Sequence, residues 1–365
     1  MSIIPRSKIL PVFACSASLI ASLSCLADHV GLQIDGGAGS AITTMGAETL
    51  SRSQQVMSLQ YQYVSLDELS DETLLESDES LHSVSDFSQL SIGYSLGISD
   101  RFTLSAVLPY VSRDGFREAE HNHHDESGEA EHHDEDDEAE HHDENGEAED
   151  HDAEAPGGEI IDSDISGWGD LSLLGRFALN GEESNSRYAL LAGLKTPTGS
   201  TSEKLANGER AEIEHQPGSG SWDPLMGIAM SSQLSPQWSV SSNLLYQLTT
   251  EGQRDTEIGD SLMYNGAIIW SPATHSHQGS PNISHVDQSW QLVLELNGEW
   301  RDKTRVNGHS DKNTGGNVIF ASAGARWSYG AWSTHIAFNA PIQKNFNGLQ
   351  SEPDWRLSSA VTVAF

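Results

Sequence analysis

The chain has 365 residues, with 54 acidic side chains against 19 basic ones and a formal net charge of −35; only 36% of it is hydrophobic. So acidic a surface repels nucleic acid, and the apolar content is low for a chain of this length built around a solid core. A transmembrane barrel reconciles the two, because only its outer face has to be apolar while its interior stays wet.

The N-terminus reads "MSIIPRSKILPVFACSASLIASLSCLAD". Arg6 and Lys8 precede an apolar run from Ile9 to Leu23, and Cys25-Leu26-Ala27 forms a small-residue cleavage site. This pattern predicts a secretory signal peptide over residues 1–27. Lipidation at Cys25 is the alternative, and "SLSC" is a poor match to it. Both cysteines, Cys15 and Cys25, fall in this segment, so the processed chain carries no thiol for disulfides or cysteine-ligated metals. No later apolar run is long enough for a spanning helix. Residues 28–53 are Gly-rich and precede the first strand. They read either as a plug entering a lumen or as a free periplasmic segment.

From residue 54 to 365 the dominant signal is alternation. In "WQLVLELNGEW", Trp290, Leu292, Leu294, Leu296 and Trp300 share one parity, and Gln291, Val293, Glu295, Asn297 and Glu299 the other. That is a strand with one apolar face, bounded by an aromatic residue at each end, as the two interfaces of a bilayer require. "RFTLSAVLPY" places Phe102, Leu104, Ala106, Leu108 and Tyr110 on one face, and "QWSVSSNLLYQL" does so with Trp238, Val240, Leu244, Tyr246 and Leu248. The chain closes on "DWRLSSAVTVAF", with Trp355, Leu357, Val361, Val363 and Phe365 on one parity. The aromatic C-terminal residue resembles the assembly signal of bacterial outer-membrane barrels, which implies the barrel assembly machinery as a partner.

Twelve such segments are predicted, centred near residues 59, 92, 106, 173, 191, 228, 243, 265, 295, 322, 335 and 360; ten or fourteen strands remain open. Their connections alternate. "SDR" (99–101), "NGEESNS" (180–186), "SPQ" (235–237) and "YGA" (329–331) are short, and the stretch 271–288 is longer than its place in the series suggests. The connections 65–85, 112–166, 197–221, 249–257, 302–316 and 341–353 are long and polar or Gly-rich. Short periplasmic turns and long external loops follow the outer-membrane rule. A periplasmic β-sandwich would alternate too, but its inward parity would be continuously large and apolar. The expected fold class is therefore an all-β transmembrane antiparallel barrel of about twelve strands in the outer membrane of a Gram-negative bacterium, with outer-membrane lipid as its solvent.

Four segments carry a resemblance: "ISDRFTLSAVLPYVSRDG" (98–115), "GWGDLSLLGRF" (167–177), "LAGLKTPTGS" (191–200) and "QPGSGSWDPLMGIA" (216–229). The chain resembles, over roughly residues 41–365, the outer-membrane barrel family named for the meta-pathway of phenol degradation. The resemblance implies a transporter and supplies no catalytic residues. No G-x-S-x-G or other catalytic motif is present, so no enzymatic activity is expected. By parity, Asp170, Arg176, Lys195, Glu295, Glu299, Arg326, His335 and Arg356 should line the lumen. There they would either brace the wall as ion pairs or tune a channel.

One insert departs from the family pattern. Residues 118–154 hold 19 acidic side chains, 8 His and no Lys or Arg, with "GEAEHHDED", "DEAEHHDEN" and "GEAEDHDAE" running at a period of nine. Such a segment cannot bury a core. The loop 117–156 is expected outside the cell, free of fixed structure, with His121, His123, His124, His132, His133, His141, His142 and His151 as candidate ligands. Imidazole beside carboxylate suits Zn, Ni, Cu or Co ions. The polyanion concentrates such cations before any bond forms, and protons should displace them in mild acid. No bound cofactor is required. His275, His277 and His285 form a second, smaller cluster in the connection 271–288. The leading expectation is a transporter or channel with an external loop that concentrates divalent metal ions. The alternatives are a non-transporting surface metal-binding or structural barrel, or a transporter of hydrophobic or aromatic compounds whose loop is only a solvated polyanion.

Overall fold

The computed structural model describes residues 41–77, 80–119, 158–181, 184–272 and 288–365. The signal segment, residues 28–40, the eight His of the acidic insert, and His275, His277 and His285 lie outside the described residues.

Among the described residues, thirteen strands build the wall: β1 (Gln55–Asp67), β2 (Asp86–Ser99), β3 (Phe102–Ala119), β4 (Ile160–Trp168), β5 (Ser172–Ala178), β6 (Ser186–Lys195), β7 (Asp223–Gln233), β8 (Trp238–Gln247), β9 (Ser261–Trp270), β10 (Gln288–Arg301), β11 (Gly316–Tyr329), β12 (Trp332–Phe346) and β13 (Glu352–Ala364). Each pairs antiparallel with its sequence neighbour across the turns and loops. β4 and β5 together occupy one position, both pairing with β3. β13 returns to pair with β1 over twelve residues, from Val56↔Ala364 to Asp67↔Glu352. The result is a closed barrel of twelve wall positions with no free edge, so every backbone group within the bilayer has a partner. All twelve expected centres fall inside these strands.

The predicted outer parity faces outward. Leu292, Leu294 and Leu296 are exposed, as are Leu104, Leu244 and Val361, while Val293, Glu295, Thr103 and Ser358 are buried. Trp238, Trp270, Trp290 and Trp332 ring the short-turn end, and Trp168, Trp300 and Trp355 lie towards the long-loop end. Ten residues separate Trp290 from Trp300. That is roughly 33 Å along a strand, and at the usual barrel tilt it projects to about 25 Å, the height of the apolar band. The hairpin Tyr329–Trp332 has only two central residues, and Gly330 there has φ 58°, the left-handed value a tight hairpin demands.

Three features differ from the expectation. Strands run further than expected at the long-loop end: β3 reaches Ala119 and β4 begins at Ile160, so residues 117–119 belong to the wall rather than to the acidic loop. The inward parity is not uniformly polar. Val107, Leu174, Leu191, Leu225 and Leu245 cluster inside with Met45 and Ala47. Finally, the connection 197–221 does not stand out in solvent. Its Leu205 and Ala211 pack with Val64, Phe87, Val111, Phe116, Ile161 and Ile165 in a second apolar cluster at the long-loop end.

The first of the inner clusters exists because the chain enters its own barrel. Residues 41–50 are largely buried, with Ala41, Ile42, Thr44, Met45, Ala47 and Leu50 each at most 4% exposed. The segment crosses from the β2–β3 turn to the opposite wall. Leu50 N–H donates to Thr103 Oγ1 (2.7 Å), Ala47 N–H to Ser231 Oγ (3.0 Å) and Met45 N–H to Asn243 Oδ1 (2.9 Å). Ala41 and Ile42 end against Ala267, Ile269, Val293 and Ala337. A strand needs only one apolar face to sit in lipid; the inward apolar residues are the seat of this segment.

Candidate functional site

The eight residues assigned to the lumen by parity fall into three groups. Glu295, on β10, accepts backbone N–H bonds from Ile42 (2.9 Å), Thr43 (3.0 and 3.1 Å) and Thr44 (3.0 Å). One carboxylate thus serves three successive amides, and a buried charge is tolerated where several donors replace its water. Arg326 donates to Ala41 O, and Arg176 Nη1 donates to Glu48 O at 2.9 Å. These three side chains all hold the N-terminal segment. His335 faces Arg326 across the β11–β12 ladder and is buried.

Glu299 and Arg356 form a separate pair, Nη1 to Oε1 at 2.6 Å, with the guanidinium stacked 3.9 Å from the Phe320 ring centroid. Between this pair and the N-terminal segment runs a belt of amides. Asn243 contacts Asn265 (3.2 Å), Asn265 contacts Asn297 (3.3 Å), and the Ser322 hydroxyl lies between Asn297 and Asn339 (2.8 and 2.6 Å). Asn339 Nδ2 completes the belt by donating to Arg356 O at 3.0 Å. Adjacent strands present a polar side chain at the same height, and each satisfies the next. Side-chain bonds of this kind hold a polar inner wall together.

Lys195 and Asp170 form the third group, joined by Asp223, which parity did not single out. Lys195 Nζ lies 2.8 Å from both Asp170 Oδ2 and Asp223 Oδ2, and also contacts the Ser219 hydroxyl. Asp170 accepts from Gly199 N–H (2.8 Å) and Ser219 N–H (3.0 Å), and Asp223 from Thr250 N–H (3.0 Å). Three of the quoted motifs meet here, since Asp170 belongs to "GWGDL", Lys195 to "LKTPTGS" and Asp223 to "SGSWDP". Their glycines have the same purpose. A Cβ on Gly199 would lie 2.7 Å from the backbone of Gly169 and of Gly218, so only glycine permits the three loops to cross. The node pins the connection 197–221 into the mouth.

Two cavities border the polar inner wall. A polar vestibule of about 690 Å³ opens at the short-turn end, lined among others by Glu48, Ser241, Gln291, Arg326 and Thr362. A smaller chamber of about 120 Å³ sits at the long-loop end beside Lys195, Asp223, Gln247 and Arg301. Along β8 the first is lined by Ser241 and the second by Gln247; Asn243, bonded to Met45, stands between them.

The long-loop end also holds a cluster that the sequence reading missed. His82, Glu212, Glu214 and His215 bring one ligand atom each to within 4.8 Å of one another, so the chain contains a His/Glu group capable of coordinating a metal ion. His82 lies in a two-residue bridge to β3, opposite Glu118. Glu214 and His215 lie in a single 3₁₀ turn (Ile213–His215) of the connection 197–221. His82 Nε2 is 3.3 Å from Glu118 and 3.9 Å from Glu212, and His215 Nε2 is 3.4 Å from Glu214. Burial opposes protonation of His82, but its hydrogen bond to Glu118 and the charges of Glu212, Glu214 and Glu118 outweigh it and hold the pKa up at about 9. The local signal was "EIEH" at 212–215, three ligand-type side chains in four residues. Its partner His82 is too distant in the chain for spacing to reveal.

Comparison with known proteins follows the same lines. The model of the family described as "Putative MetA-pathway of phenol degradation" matches residues 81–351. An outer membrane channel from Pseudomonas putida is similar in structure, with a TM-score of 0.54 at 13% identity, covering 91% of this chain and 100% of that one. The β domain of the Bordetella autotransporter BrkA gives a TM-score of 0.45 at 8% identity, covering 86% of this chain and 100% of that one. At such identities the likeness concerns the fold alone. No curated protein matches.

Proposed function

The chain belongs to the family described as "Putative MetA-pathway of phenol degradation", whose model spans residues 81–351, and from that premise we propose that it is a channel gated by its own N-terminal segment and served by an external loop that concentrates divalent transition-metal ions. The observation that carries the gate is the capture of the Ile42, Thr43 and Thr44 amides by Glu295. A segment that only threaded past the barrel would have no reason to place three donors on one buried carboxylate. The bonds run from a separate stretch of chain to the wall, so the segment can leave without breaking any strand ladder. Its departure would join the vestibule to the chamber beside Lys195.

The loop reading is supported by composition. Eight His among 19 carboxylates within 118–154 supply many weak nitrogen–oxygen sites in series. Ordering such a segment around an ion costs conformational entropy, so the loop offers capacity rather than tight binding. Glu118, the first acidic residue of that stretch, is on β3 opposite His82.

Planar-bilayer recording tests the gate. The protein lacking residues 28–50 should conduct continuously, and the full chain only in brief openings. Equal conductance from the two would remove the gate from the reading, and silence from both would favour a non-transporting barrel. Titration calorimetry on a peptide of residues 117–155 tests the loop. Replacing His121, His123, His124, His132, His133, His141, His142 and His151 by Gln should abolish most of the zinc uptake; equal uptake would leave a plain polyanion.

A further inference from the structure

The cluster at the long-loop end differs in kind from the loop. It is folded and walled by an apolar ring, and it is assembled from distant parts of the chain. We infer that His82, Glu212, Glu214 and His215 form a discrete transition-metal site of the zinc class, which clamps the connection 197–221 over the mouth of the barrel. The inference goes beyond the channel reading and does not depend on the eight loop His.

The geometry supports it in three ways. First, the donor set is two imidazoles and two carboxylates, and ligand atoms around a tetrahedral Zn²⁺ with bonds of about 2.0–2.1 Å stand roughly 3.4 Å apart. The observed separations of 3.4 Å (His215–Glu214) and 3.9 Å (His82–Glu212) are within side-chain adjustment of that value. Calcium and magnesium are poor candidates, because hard cations prefer all-oxygen sets.

Second, the surroundings resemble a built site. Phe116 is fully buried and packs against both imidazoles, with ring centroids 5.5 Å from His82 and 4.8 Å from His215. The imidazole centroids are 4.3 Å apart. Glu214 and His215 are buried, whereas the Glu212 side chain is 52% exposed and leaves a route for an ion from solvent. An apolar wall around polar ligands lowers the local dielectric and strengthens the hold on a divalent charge.

Third, the ligands come from two separate connections. His82 lies between β1 and β2, and the other three lie between β6 and β7. An ion would therefore cross-link two loops that otherwise meet through packing. The node at Asp170 and Lys195 already holds Gly199 and Ser219 near the two ends of the connection 197–221, and the ion would hold its interior at residues 212–215. Glu118, 3.3 Å from His82 Nε2, is a carboxylate of the wall beside the clamp.

The test uses the full chain, purified without a His tag, carrying Gln at all eight loop His. After loading with zinc and dialysis, it should retain one equivalent of metal, and cobalt should give the intense visible bands of a tetrahedral site. Adding His82→Gln and His215→Gln should remove both signals while the barrel still shows heat-modifiable migration. Because buried His can be needed for packing, Glu212→Gln is the second variant. Its side chain is half-exposed and should tolerate replacement, with zinc affinity falling more than the roughly tenfold that loss of an outer-shell partner costs. Tryptic cleavage after Lys204 or Arg210 should slow on zinc addition and recover with chelator. Loss of the retained equivalent in the eight-Gln protein, or its survival in the His82/His215 variant, would overturn the inference. The loop reading fails separately, when the native and eight-Gln proteins take up the same total metal.

Discussion

Glu295→Ala is the most direct challenge to the gate. In the closed barrel its carboxylate receives hydrogen bonds from Ile42, Thr43 and Thr44. A hydrogen bond to a charged acceptor contributes about 1.5–3 kcal/mol net, so three would give roughly 5–9 kcal/mol if additive. They are not additive, because the donors share one carboxylate and the vestibule can supply water once it is gone. A net loss of about 3 kcal/mol is a reasonable central value, and at 1.4 kcal/mol per decade it raises the open-to-closed ratio by roughly a hundredfold. Glu295→Gln retains one acceptor oxygen and should give a smaller rise, about tenfold. The assay is single-channel recording, with open probability compared at equal protein and salt, and limited proteolysis of residues 41–54 from the short-turn side as an independent readout. A Glu295→Ala barrel that folds, stays protected and opens no more often than its parent would refute the gate and leave Glu295 as a brace.

Three further outcomes are expected. Lys195→Met leaves Asp170 and Asp223 facing each other without their cation; losing one partner of a buried pair costs about 3–5 kcal/mol, so the connection 197–221 should become cleavable by protease while the barrel stays heat-modifiable. Gly199→Val places a Cβ 2.7 Å from the backbone of Gly169 and Gly218 and should have the same effect with all charges intact, whereas Gly181→Ala, where nothing lies within 4 Å, should change stability by less than about 1 kcal/mol. Deleting Phe365 removes the exposed aromatic end of β13 and should lower the amount of protein reaching the outer membrane, measured by fractionation; unchanged insertion would make that ending incidental.

The twelve wall positions were legible because strand parity is a local property. Lipid on one side and the lumen on the other impose a two-residue period wherever the chain crosses. Trp290 and Trp300, or Leu357 and Arg356, therefore declare their faces without reference to any other strand. The turn glycines and the position of Phe365 are equally local. Parity also found Glu295, Arg326 and Arg176, though it could say only that they point inward. What they hold was hidden, since the partners of Glu295 lie more than 250 residues away. The inward leucines on β5 to β8 were misleading for the same reason, because their apolar partners, Met45 and Ala47, arrive from outside the wall.

Composition and alternation thus determined a barrel, its strand positions, its outer face and an acidic His-rich insert. The tertiary structure alone decided what fills the barrel: the segment 41–50 seated on Glu295, three glycine-rich motifs joined at Lys195, and His82 brought to His215. The physical reason lies in barrel closure. Pairing β13 with β1 turns a linear series of hairpins into a ring, and the ring sets distant inward side chains and rim loops a few ångströms apart, at separations that no periodicity along the chain encodes.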